Sequence, residues 1–240
     1  MSSREYHPES SDPREPATRI QDRILLLSLF ARLTHYGYIG DPVKVQKTVF
    51  LVQYNAALSK MQVFAHPYFR WEYGPFSKEL KDDYRLLSGP LDYVLDREEF
   101  QMTDKGSDLA EAFWLDVLKD SRNAEICQVL EATARKWAGN RGGDIQRAVY
   151  KLRVRSAPSR HSAADEEVYR TVEDTRKSYE FLLVPRSPRC RPFIPEGWAE
   201  TLAVELGENS DARDSLRQAE RDVLGGHVRG GDPIPADIDD

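Results

Sequence analysis

Cysteine is scarce in this 240-residue chain: only Cys127 and Cys190 occur, far apart and outside any CxxC spacing. That excludes a disulfide framework and a cysteine zinc site, and makes a reducing, cytoplasmic setting the expectation. Long apolar runs are missing too. No stretch of about 18 apolar residues occurs, so no membrane span is expected, and no apolar signal-peptide core follows the start. The five histidines, His7, His35, His66, His161 and His227, fall in no HxxxH or HExxH spacing, so their order gives no basis for a metal centre. The patterns GxxxxGKS/T, GxGxxG and GxSxG are absent, which removes the local signatures of phosphate loops, dinucleotide sites and hydrolase elbows. We expect no catalytic residue, no cofactor and no metal.

The chain is 40% hydrophobic and 31% charged, enough apolar surface for a core under a heavily solvated exterior. Its net charge of -6 is uneven, because residues 156–240 hold 18 acidic and 11 basic side chains. An acidic C-terminal part repels a phosphate backbone, whereas the near-neutral N-terminal part gives no signal either way.

Residues 1–18 are polar and Pro-rich and read as a disordered leader. Ile20, Ile24, Leu27, Leu29 and Phe30 then recur at helical spacing, predicting a buried helix over 20–35. Asp41 and Pro42 are suited to cap and open a second helix, with Val45, Thr48, Val49 and Val52 on one face. Residues 62–73 are aromatic and extended in character, and Ser77 can cap a third helix. Alternation in Leu91–Leu95 and Phe100–Met102 around a charged break predicts a short β-hairpin. Thr103 caps a helix containing Leu109, Phe113, Trp114 and Leu118, and amphipathic helices follow over Ala124–Trp137 and Asp144–Val154. The Gly139–Gly143 run reads as the loop between those two. The fold class is therefore mainly α with a short β-hairpin: a helical, winged-helix-like N-terminal domain over 19–155 plus a smaller C-terminal extension. Residues 156–167 read as a linker, 168–226 as the extension and 227–240 as an acidic disordered tail. Within the extension we expect a polar helix near 166–178, an apolar patch at 179–184, a segment over Gly197–Leu206 and a helix over Ser210–Leu224.

Residues Arg70–Leu80 concentrate Trp71, Tyr73 and Phe76 around a Gly-Pro break. Gly74 lets the backbone turn, and Pro75 restricts how the chain runs into the third helix. The three aromatics either pin a strand to a helix as core, or place one of them in a groove as an anchor for a partner. Charged pairs beside the turn, Arg70 with Glu72 and Asp82 with Asp83, read as solvated or paired rather than catalytic.

Three pieces in order carry a resemblance: Val45-Gln46-Lys47 within a hydrophobic helix, Tyr73-Gly74-Pro75 after an aromatic strand, and Met102-Thr103-Asp104-Lys105-Gly106 opening a later helix. Together they resemble the Panacea family, the SocA-like antitoxin domain, with the YwgA-like proteins as near relatives. The likeness spans roughly residues 19–154. It implies structural roles for Gln46, Lys47, Gly74, Pro75, Ser77, Thr103 and Gly106. It also implies an antitoxin, in a prokaryote or phage, that binds a protein toxin encoded by an adjacent gene. Val45, Val49, Phe50 and Met102 depart from the family pattern conservatively. Residues 160–240 match nothing in it, and their anchors Phe181, Phe193 and Trp198 join Trp71, Tyr73 and Phe76 as candidate partner contacts. The alternative function is a winged-helix DNA-binding regulator using Lys44, Lys47, Lys78, Lys81 and Arg85 on helix surfaces. A second alternative is an enzyme of unrecognised type.

Overall fold

The computed structural model describes residues 14–156, 169–175, 182–183 and 191–206. It is mainly helical, with seven α-helices and a few short strand pairs. Helix α1 (Pro16–Tyr36) is buried over most of its length, with Ile20, Ile24, Leu25, Leu26, Leu27, Leu29 and Phe30 fully buried. It packs against elements that follow it along the chain, as far as residues 196–205. Its start corrects the leader expectation over 14–18: Pro16 takes the first helical turn, where its missing N–H costs nothing, and Arg14 is buried at its head. The rest of that leader lies outside the described residues.

Helix α2 (Pro42–Leu58) is capped as expected, Lys44 N donating to Asp41 Oδ1 at 2.7 Å. Strands β1 (Phe69–Trp71) and β2 (Gly74–Phe76) then pair antiparallel, with Phe69 opposite Phe76 and Arg70 opposite Pro75. This corrects the reading of Gly74-Pro75 as a plain strand-to-helix break. In a two-stranded sheet each strand is an edge, so Pro75 loses no essential ladder bond. Helix α3 (Lys78–Ser88) starts from the Ser77 cap, Leu80 N donating to Ser77 Oγ at 3.2 Å.

The expected hairpin is present as β3 (Val94–Leu95) and β4 (Gln101–Met102), Val94 facing Met102. Helix α4 (Asp104–Phe113) follows its Thr103 cap and continues as a π-helical turn over Trp114–Leu118. Helix α5 (Ala124–Trp137) matches its predicted span, and α6 (Gly142–Tyr150) opens inside the glycine run. The expected continuation of α6 to Val154 is wrong. Arg153–Ser156 instead forms β5, central between β6 (Tyr169–Thr171) and β7 (Leu182–Leu183) in an antiparallel sheet. The same sheet overturns the polar helix near 166–178 where it is described, since 169–171 is strand and 172–175 a turn. The helix expected at 210–224 lies outside the described residues.

Helix α7 (Glu196–Glu205) buries Ala199, Leu202 and Ala203 in the same core as α1. Tyr93 Oη donates to the Glu205 carbonyl at 2.9 Å, and Phe113 meets Trp198 edge-on at 5.3 Å between centroids. Among the described residues, no helix is long and apolar enough to cross a membrane.

Candidate partner-binding site

The β1–β2 hairpin carries the exposed aromatic surface. Only Glu72 and Tyr73 lie between its strands, and Gly74 closes the turn at φ +102°, where a side chain is strained. Phe69, Trp71 and Phe76 form one ring cluster, with centroids 5.4–6.0 Å apart in tilted and edge-on contacts. Trp71 is nevertheless 40% exposed and Tyr73 54% exposed. Phe76 is half-buried beneath them.

Two neighbouring side chains of α2 hold this hairpin rigidly. The Gln46 amide donates to the Ser77 carbonyl and accepts from the Ser77 N–H, both at 2.9 Å, replacing a strand partner. Lys47 Nζ donates to the Pro75 carbonyl at 2.7 Å. Burial pushes the Lys47 amine down to about 7, and the neighbouring Arg70 adds to the shift. Gln46, Lys47, Gly74, Pro75 and Ser77 are thus one structural unit. Thr103 and Gly106 form another: Gly106 N donates to Thr103 Oγ1 at 3.1 Å while Thr103 Oγ1 donates to the Asp92 carbonyl at 2.9 Å.

No family model, curated protein or solved structure matches the chain.

The remaining candidates divide by burial. Phe193 is only 6% exposed, its N–H and carbonyl both bonded by the Asn123 side-chain amide at 2.7 and 2.8 Å. Trp198 is half-buried against Phe113. Both serve packing within the chain, and Phe181 lies outside the described residues. The cations proposed for DNA need correction. Lys44 is 1% exposed and Lys47 2% exposed, so neither is on a helix surface. Lys44 Nζ donates to the Ala138 carbonyl at 2.6 Å and the Tyr38 carbonyl at 3.0 Å, and burial lowers its amine to about 8. Lys78, Lys81 and Arg85 on α3 keep more solvent contact.

Sequence order missed a buried ionic cluster joining α1, α3 and the approach to β1. Arg14 Nη1 bridges Asp22 Oδ2 at 2.7 Å and Asp83 Oδ2 at 2.8 Å, and Arg23 Nε reaches Asp83 Oδ1 at 2.9 Å. His66 Nε2 lies 2.8 Å from Asp83 Oδ2, and Asp22 Oδ1 accepts from the Ala65 N–H at 3.0 Å. Burial alone raises the Asp83 carboxyl, but the His66 hydrogen bond and Arg14 outweigh it and hold the group well below the usual carboxylate range. Asp22, His66 and Asp83 offer donor atoms within 4.8 Å of one another, the spacing of a metal set. Two guanidinium groups already balance the two carboxylates, and Arg14 stands where a cation would. The cluster is therefore a latch for the start of α1. The available signal was Asp22 itself, a carboxylate one turn ahead of Leu25 and Leu26 and two turns ahead of Leu29 on its helix.

Proposed function

We propose that this chain is a protein-binding module, an antitoxin that neutralises a partner toxin by direct contact, with the β1–β2 hairpin as its recognition element. The observation that carries the reading is the pair Trp71 and Tyr73, exposed on a hairpin that Gln46 and Lys47 clamp to α2. Exposed aromatics on a rigid support lose little side-chain entropy when a partner covers them, which is what makes such residues dominant anchors. The Panacea-like motifs supply the antitoxin part of the proposal, because two of the three, Gln46-Lys47 and Tyr73-Gly74-Pro75, build and brace this hairpin. Neutralisation proceeds by occlusion or handover of the toxin rather than by chemistry on it, and the implied setting is the cytoplasm. The burial of Lys44 and Lys47 weakens the DNA-binding alternative.

Co-expression with the product of each adjacent gene tests the proposal. The expected result is rescue of growth from one toxic neighbour and its co-purification with this chain. If no neighbouring product is both toxic alone and captured by the chain, the proposal fails.

A further inference from the structure

Beneath the hairpin, Lys47 and Arg70 bring two cationic side chains together, each 2% exposed. Among the described residues neither forms an ion pair with a carboxylate. Arg70 Nη1 donates to the Trp71 carbonyl, its guanidinium lies 4.9 Å over the Tyr150 ring, and its Nε has no hydrogen-bond partner although fully buried. Lys47 has one acceptor, the Pro75 carbonyl. Gly74 sits against Lys47 and Tyr150: a Cβ there would stand 3.0 Å from Tyr150 Cε1 and 3.2 Å from Lys47 Cε. Buried arginines are ordinarily paired, and a buried N–H without an acceptor is costly. Among the described residues the other buried arginine, Arg14, meets such partners in Asp22 and Asp83.

We propose that the Lys47–Arg70 pair is a receptor for a carboxylate presented by the protein partner, which inserts between the hairpin and Tyr150. A planar carboxylate matches the guanidinium edge that Nε leaves unused and takes a second donor from Lys47. Tyr150, half-buried and stacked on the guanidinium, is the side chain that moves aside. Burial first and Arg70 second lower the Lys47 pKa, and an arriving anion opposes both, so binding takes up a proton near neutral pH. Asp41 is the carboxylate that Lys47 feels already, and its influence is the smallest of the three acting on that amine. The link to a partner rests on the reading of the hairpin given above, whereas the carboxylate site itself is open to test on the free chain.

The experiment is a titration of the full chain at about pH 8, where Lys47 is largely neutral, with sodium acetate, sodium phosphate and sodium chloride at matched ionic strength. The Arg70 Nε–H and Lys47 Cε resonances and the melting temperature are followed together. Acetate is expected to move both resonances saturably and raise the melting temperature, while chloride does neither. Arg70→Lys, which keeps the charge and removes the planar edge, is expected to weaken acetate binding by about tenfold or more. A tripeptide with a free C-terminus, its amide, and a capped glutamate then distinguish a chain terminus from an acidic side chain as the source. An Arg70 resonance that acetate leaves in place, or that chloride moves equally, overturns the proposal, as does binding of phosphate without acetate. Because the wild-type resonances suffice, a poorly folded Arg70→Lys variant does not spoil the test. Failure here with partner binding still lost on changing Trp71 would reject the carboxylate site and leave the hairpin surface intact.

Discussion

At Gly106 a hydrogen in place of a methyl lets α4 meet the backbone just ahead of β3, since a Cβ there would lie 2.1 Å from the Tyr93 carbonyl oxygen. Gly106→Ala is expected to cost about 3 kcal/mol or more, because the obstacle is backbone and cannot swing aside. A urea titration that returns parental stability would show that the contact relaxes freely. Asp83 makes a second residue-scale case. Its carboxyl is held below its unfolded value, so its contribution is complete above the ordinary carboxylate pKa and is lost as pH falls through and below it. Asp83→Asn is expected to be about 3–5 kcal/mol less stable at neutral pH, because Arg14, Arg23 and His66 each lose the Asp83 carboxylate from their set of contacts. Its stability should also fall less steeply than the parent's in acid, and parallel acid curves for the two proteins would count against the latch.

Among the elements, what was legible in the sequence was local. Asp41, Ser77 and Thr103 cap their helices as their types and spacing predict, because a cap reaches only three residues. The alternation before Gly106 gave the β3–β4 hairpin for the same reason. The amide clasps were not legible. Gln46 bonds Ser77 31 residues away and Asn123 bonds Phe193 70 residues away, and nothing local distinguishes these amides from solvated ones. Asn123→Ala is expected to cost about 2–3 kcal/mol by freeing the segment ahead of α7, a loss readable as a lower melting temperature. Lys47 was equally hidden, since a lysine two turns from Asp41 reads as surface until the hairpin closes over it. Its amine titrates near 7 in the fold and near 10.5 unfolded, so the unfolded chain holds more protons between those values and stability rises with pH there. Lys44 adds a slope of the same sign only above about 8. Lys47→Met is therefore expected to flatten the stability profile between about pH 7 and 8 specifically. An unchanged slope would mean that Lys47 remains charged and solvated.

For the molecule as a whole, the described tail belongs to the core that the N-terminal helices build. Tyr93 with Glu205, Asn123 with Phe193 and Phe113 with Trp198 tie residues 191–206 to three separate places in the N-terminal part. Sequence order suggested a break after residue 155 because the composition there is small and polar. It did not show that β5 would draw strands from beyond the break. A chain ending at 155 should melt well below the full protein, and coincident melting curves would show that the tail adds no stability. The hairpin, by contrast, contributes surface rather than cohesion at its tip. Trp71 and Tyr73 are proposed as the binding surface for a protein partner. The direct measurement is the affinity of a Trp71→Ala, Tyr73→Ala variant for the co-purified toxin, with its melting temperature recorded alongside. The account predicts parental melting and affinity weaker by roughly 2 kcal/mol or more. Parental affinity in that folded variant would contradict it.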